Sequence, residues 1–289
     1  MDTLSDNSKS EPVRVGIIGC GWLGKALVKA LVEQTYYVIA TTQQQLKLKS
    51  ITDLGAQAEI LTLPFGDVNE NSAAVFCCET LIICIPPGIR KGKKDYPDKI
   101  ADIIKQAEHR HVNKVILFST TAVYEGILGD VTESAKLNKD NEKVKILTKA
   151  EQYVLGFSNQ GIVIRCAGLV GPNRHPGIFF KNKKLLTAPN AYVNLVHQTD
   201  VVEQIILLIT KDIVSGVFNI ASDMQVTKKH YYSIAAKALN VPLPLFDEHS
   251  EVELGKKVLS DKLRDELGYH YQYDDLVTWL INSELDSKN

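Results

Sequence analysis

Apolar, β-branched runs recur along the chain and alternate with amphipathic stretches. The runs at 14–18, 37–41, 58–62, 80–85, 114–119 and 161–166 read as strands. Between them, 22–33, 44–54, 95–109 and about 142–158 carry helical spacing. In the first of these Leu23, Leu27 and Leu31 stand beside Ala26 and Ala30. The strand-like runs are continuously apolar rather than alternating, as expected of strands covered on both faces, hence of a parallel sheet. Strand and helix in alternation predict an α/β fold with a doubly wound parallel sheet.

After Gly168 the rhythm changes. Pro172, Pro176, Gly177 and Pro189 mark irregular connections. Thr199-Asp200 is expected to cap an apolar helix over 201–209, with the Asp200 carboxylate at its N-terminus. A further strand is expected at 216–220. Thr227 opens a helix through Leu239, which Pro242 and Pro244 end, and 260–267 reads as one more short helix. The division this suggests is a core of 13–170 and 196–222, with a small lobe of 171–195 and 223–282 over the sheet's carboxyl edge. Ligands of open α/β sheets bind at that edge. The polar ends, 1–12 and 283–289, are expected to be disordered tails.

The first strand and the first helix are joined by Gly19-Cys20-Gly21-Trp22-Leu23-Gly24. Strand, G-x-G-x-x-G, helix is the entry of a dinucleotide-binding βαβ unit. Gly19 allows the tight turn, Gly21 leaves bare backbone for a pyrophosphate, and Gly24 lets helix and strand pack closely. The N–H groups at Trp22 and Leu23 then face the phosphates, helped by the helix dipole.

Composition narrows the rest. The 289 residues suffice for a sizeable core. A net charge of −1 gives no global field for nucleic acid or an anionic membrane, so neither is expected as a partner. The lysine runs at 91–94 and 181–184 read as solvated loops. No stretch is long and apolar enough to span a bilayer, and the first dozen residues lack an apolar signal segment, so a cytoplasmic protein is expected. The five cysteines have no metal-ligand spacing and read as reduced, mostly buried thiols, with Cys77-Cys78 the one pair to consider for redox chemistry. The seven histidines do not cluster, and no metal site is expected.

Four segments in order carry a resemblance. They are the glycine turn; Phe118-Ser119-Thr120-Thr121-Ala122-Val123-Tyr124; Ile164-Arg165-Cys166-Ala167-Gly168-Leu169-Val170-Gly171-Pro172; and Val193-Asn194-Leu195-Val196-His197-Gln198-Thr199-Asp200-Val201, followed by Val217-Phe218-Asn219-Ile220. Together they resemble the extended short-chain dehydrogenase/reductases of the NAD(P)-dependent epimerase/dehydratase group. The tight glycine spacing and Ile85-Pro86-Pro87-Gly88 resemble an atypical branch assigned to sugar-nucleotide epimerases. The resemblance implies a Rossmann core and a small-molecule substrate such as a sugar nucleotide, with dimers through paired core helices. It places Ile85, Pro86, Pro87 and Ser119 beside the cofactor and Thr120 against the reacting oxygen. It puts Arg174 and His175, in the loop after Gly171-Pro172, on the substrate side.

The family's Tyr-x-x-x-Lys pair, in which lysine lowers the tyrosine pKa for proton transfer, is missing. No tyrosine here has a lysine four residues on. Counting from Thr120 lands on Lys145 and Lys149, whereas anchoring on Glu151 lands on Lys143 and Leu147. The candidates for proton transfer are therefore Tyr124 and a lysine of this helix, Lys145 with Lys149 being the first choice. Arg165 is expected to pair within the fold, and His197 to orient a loop.

The end of the second strand, Ala40-Thr41-Thr42-Gln43-Gln44-Gln45, has no acidic residue to repel a 2′-phosphate. Thr41, Thr42 and Gln43 offer donors to one, and Lys47 or Lys49 charge, so NADP is favoured slightly over NAD. Two functions stay open: an NAD(P)-dependent oxidoreductase or epimerase, and a catalytically silent NAD(P)-binding sensor or scaffold.

Overall fold

A computed structural model describes residues 11–65, 73–180, 185–212, 215–247, 249–250 and 254–286. Seven strands form one sheet: β1 (Arg14–Ile18), β2 (Tyr37–Thr42), β3 (Gln57–Ile60), β4 (Thr80–Ile83), β5 (Lys114–Thr120), β6 (Gln160–Cys166) and β7 (Gly216–Ile220). Their order is β7-β6-β5-β4-β1-β2-β3, and every pairing is parallel. The connections run one way from β1 to β3 and the other way from β4 to β7. The chain therefore reverses between β1 and β4, and the crevice at their carboxyl ends is where such sheets take ligands. The doubly wound α/β sheet is as the apolar pattern requires. All of β4 is buried, as are six of seven residues in β5 and in β6.

Eight helices among the described residues complete the layers: α1 (Trp22–Glu33), α2 (Lys49–Thr52), α3 (Tyr96–His109), α4 (Glu142–Leu155), α5 (Gln198–Thr210), α6 (Lys228–Ala238), α7 (Asp261–Leu267) and α8 (Leu276–Asp286). α1 buries Leu27, Val28 and Leu31 completely, worth about 1.5–3 kcal/mol each. The helix expected over 44–54 is broken into a 3₁₀ turn, Gln45–Lys47, and the short α2. Leu46 is 96% exposed, so no apolar face holds a longer helix there, and Ser50 and Thr52 hydroxyls donate to the backbone carbonyls of Lys47 and Lys49.

Three short parallel pairs, too brief for a periodic signal, join the loops above the sheet. They are Gly129–Val131 with Lys256–Val258, Gly168–Val170 with Leu195–His197, and Leu185–Leu186 with Leu245–Phe246. A second apolar cluster lies beyond them, with Val170, Val193, Leu195, Met224, Tyr231, Leu276 and Leu280. Leu263 and Leu267 of α7 belong instead to the main core.

The end expected as a tail from 283 is helical through Asp286 in α8, whose Leu276 and Leu280 are fully buried. The Asp275 carboxylate accepts from the N–H groups of Val277 and Thr278 at that helix's start. Residues 1–10 of the tail expected at 1–12, and the lysine run at 181–184, lie outside the described residues.

Candidate cofactor and substrate site

The glycine turn lies at the reversal point. Gly19 has φ +98°, a conformation that favours glycine. Its N–H donates to Thr41 Oγ1 (3.3 Å), and the next N–H, of Cys20, donates to Thr41 O (2.8 Å). A Cβ on Gly24 would stand 2.7 Å from Gly19 O, which is the close helix–strand approach the spacing predicts. A Cβ on Gly21 would meet nothing within 4 Å, so bare space lies over the N-terminus of α1. That helix has no side-chain cap and no acidic residue in its first turn. The N–H groups of Trp22 and Leu23 find no acceptor among the described residues. Unpaired donors, a positive dipole end and open space together suit a pyrophosphate.

Ile85 lies against this turn: a Cβ on Gly19 would be 3.0 Å from its side chain. Pro86 and Pro87 follow it, exposed and half-buried respectively. On the other side the Trp22 indole donates to Pro172 O (2.9 Å), and Gln198 Nε2 donates to Trp22 O (3.1 Å). Arg174, exposed, lies 5.2 Å from the Trp22 ring centroid. Trp22 thus ties the glycine turn to the loop that follows Gly171. His175 in that loop turns inward: Nδ1 accepts from Gly177 N–H (3.1 Å) and the ring packs 5.8 Å from Trp279.

Several expected ligand contacts have other occupations. Thr41 is buried and serves the glycine turn. Thr42 is buried and its hydroxyl accepts from Gln44 N–H. Of the donors at the end of β2 only Gln43 is exposed, beside Lys47, while Lys49 is paired with Asp53 (2.8 Å). Ser119, expected beside the cofactor, is buried and donates from Oγ to Glu151 Oε1 (2.6 Å).

Glu151 anchors a buried polar network that the sequence did not show. Arg165 meets it through Nη2 (2.7 Å) and Nε (3.2 Å), and its Nη1 donates to Tyr124 Oη (3.1 Å). Tyr124 in turn donates to Asn219 Oδ1 (2.7 Å), and Asn219 N–H donates to Glu133 Oε1 (2.7 Å). Arg165 pairs within the fold, as expected. Tyr124 does not fit the expected donor role. It is fully buried, its hydroxyl is spoken for twice, and burial raises its pKa.

Thr120 ends β5 half-exposed at the carboxyl edge, its Oγ1 accepting from Ala122 N–H (3.2 Å). On α4, Lys145 and Lys149 point to solvent, the latter within 4.0 Å of Asp98. Neither faces β5, so the first choice for proton transfer is corrected. Residues 143, 147 and 151 share one helix face, and that face turns inward, with Leu147 and Glu151 buried. Lys143, half-buried, is ion-paired with Glu125 just beyond the turn after β5. Burial, and then the charge of Arg90, lower its pKa. The helix register thus selects the Glu151 anchor. The signal for it lay in the apolar spacing of Val144, Leu147 and Val154, all buried here.

The remaining candidates are structural. His197 caps α5 by accepting from Thr199 N–H (3.2 Å). Asp200, expected to cap that helix, reaches across to the N–H groups of Gln272 and Tyr273 and the Tyr269 hydroxyl. Burial pushes the thiols of Cys20, Cys78 and Cys166 up to about 11, 12 and 12, so none is a thiolate. No metal-holding cluster exists among the described residues, and no helix there is long and apolar enough to cross a membrane.

No protein-family model matches the chain. Protein YeeZ of Escherichia coli K12 is 29% identical over 269 residues, covering 91% of this chain and 97% of that protein. The Bordetella bronchiseptica enzyme WbmG, solved with NAD, matches at TM-score 0.75 and 14% identity, covering 97% of this chain and 96% of that one. The UDP-glucose 4-epimerase of Thermotoga maritima, solved with UDP-glucose, matches at TM-score 0.74 and 13% identity, covering 96% of this chain and 100% of that one. Over nearly its whole length, the chain shares the Rossmann fold of these two solved structures.

Proposed function

We propose that this protein is an NAD(P)-dependent enzyme of the epimerase/dehydratase type, acting on a carbonyl or hydroxyl of a sugar nucleotide. The observation that carries the reading is the open space over Gly21 at the uncapped start of α1, on the same sheet edge as Thr120. That the solved structures of the same fold hold NAD and UDP-sugars supports it. The cofactor, bound with its pyrophosphate over Gly21 and the N–H groups of Trp22 and Leu23, supplies the hydride acceptor and donor. Thr120 Oγ1 orients the reacting oxygen by a hydrogen bond. In its neutral amine form, which burial favours by lowering the ammonium pKa, Lys143 would accept the hydroxyl proton and, as the ammonium, would return it in the reverse step. NADP is preferred slightly, since Gln43 and Lys47 are exposed at the end of β2 and no carboxylate stands there.

The test is product analysis by proton NMR after the protein, supplied with NAD or NADP, meets UDP-glucose, UDP-glucuronate or a similar UDP-sugar. At least one sugar nucleotide is converted to a new product, and Thr120→Val lowers the rate by roughly tenfold or more while cofactor affinity is kept. Cofactor binding with no conversion of any sugar nucleotide in the panel would favour a second reading, a silent NAD(P)-binding sensor. The absence of any tyrosine four residues before a lysine is the observation behind that reading.

A further inference from the structure

The turn after β5 gathers positive charge with little to balance it. Lys256, in the short strand Lys256–Val258, donates from Nζ to Thr121 O (2.7 Å), one residue from Thr120. Its ammonium lies 5.9 Å from the Tyr124 ring centroid. Asn194 fixes the backbone there: Nδ2 donates to Lys256 O (2.9 Å) and Oδ1 accepts from Val258 N–H (2.7 Å). Lys228, partly buried, opens α6. Tyr192 stitches that helix start to the segment leading into this strand, since its N–H donates to Leu254 O (2.6 Å) and it bridges to Thr227. Lys143 approaches from α4 and is the one lysine of the three with a carboxylate partner, Glu125, among the described residues.

The arrangement is electrostatically unfavourable as it stands. Burial, and then the charges of Lys143 and Lys228, push the Lys256 ammonium down to about 8. Lys228 occupies the first turn of α6, which has no acidic residue, so it sits at the positive end of the helix dipole. The half-buried ammonium groups of Lys256 and Lys228, at the carboxyl edge, are stabilised once an anion comes between them.

We infer that Lys256 and Lys228, with Lys143 beside them, bind an anionic group, carboxylate or phosphate, on the sugar end of the substrate next to the reacting carbon. The inference rests on the sugar-nucleotide reading above and deepens it, making the substrate an acidic sugar derivative.

Calorimetric titration tests it with two pairs of probes, UDP-glucuronate against UDP-glucose and glucose 6-phosphate against glucose, each with and without NADH. At least one acidic probe binds tenfold or more tighter than its neutral partner. Lys256→Met and Lys228→Met each remove most of that margin and leave the affinity for the neutral partner unchanged. The pair that shows the margin tells carboxylate from phosphate. No margin in the wild-type protein, or a margin that survives both variants, overturns the inference. The cofactor reading fails separately, by absence of an NADH signal in the same cell.

Discussion

Tyr124 shows why single residues are hard to assign from a motif. Its place at the end of β5 matches a pocket position, yet the side chain turns into the core and links Arg165 to Asn219. Tyr124→Phe leaves two buried polar groups without this partner. Urea unfolding will show a loss of about 1–3 kcal/mol, with NADH affinity unchanged; lost turnover at full stability would restore its candidacy as a donor. Ser119 was misplaced for the same reason. Strand alternation tells which face a side chain takes only if the burial of both faces is known, and a parallel sheet buries both. Glycines were legible because their constraint is backbone geometry, local to the sequence. Lys143 was legible only as one of two registers, since the interval from Thr120 to α4 includes a loop of unknown length.

At the scale of elements, β1, α1 and β7 match their expected bounds, since each is a continuous run closed by turn residues. The short strand pairs and α8 did not emerge, because their stability comes from partners distant in sequence. Lys114 illustrates such a long-range tie. It begins β5 but is buried, and its Nζ donates to the carbonyls of Leu208 (2.7 Å), Ile209 (3.2 Å) and Lys211 (2.8 Å), closing the end of α5. A lysine suits that end of a helix dipole. Lys114→Met strips donors from three carbonyls and is expected to cost about 1–3 kcal/mol in urea unfolding. Unchanged stability would mean that water replaces the ammonium there.

For the whole molecule, the junction of the sheet with the second apolar cluster should set its response to acid. His197 is 3% exposed, lies 4.0 Å from the Tyr273 ring centroid and 5.0 Å from that of Trp279, and burial pushes its pKa down to about 4. The folded protein therefore holds it neutral while the unfolded chain protonates it near 6.5. Stability is full above that value and is lost as pH falls toward 4, by up to about 3 kcal/mol from this group. His197→Asn keeps an acceptor for Thr199 N–H, so it should flatten the fall in unfolding free energy between those pH values. An equally steep fall in the variant would place the acid sensitivity elsewhere. The doubly wound parallel sheet followed from the apolar rhythm. How the loops close over the sheet did not, because it depends on side chains such as Trp22 and Asn194 that join segments far apart in the chain.

The central claim is that the space over Gly21 receives a dinucleotide. Gly21 has φ −85°, outside the left-handed region that favours glycine, and no atom beyond its chain neighbours lies within 4 Å of its Cβ position. A Gly21→Val variant should thus keep the fold, and any loss of affinity belongs to the ligand. Calorimetric titration of both proteins with NADH and NADPH is the most direct test. The account predicts roughly micromolar binding of at least one nucleotide to the wild-type protein, and at least about a hundredfold weakening in Gly21→Val. No binding of either nucleotide, or equal binding by the two proteins, would contradict it.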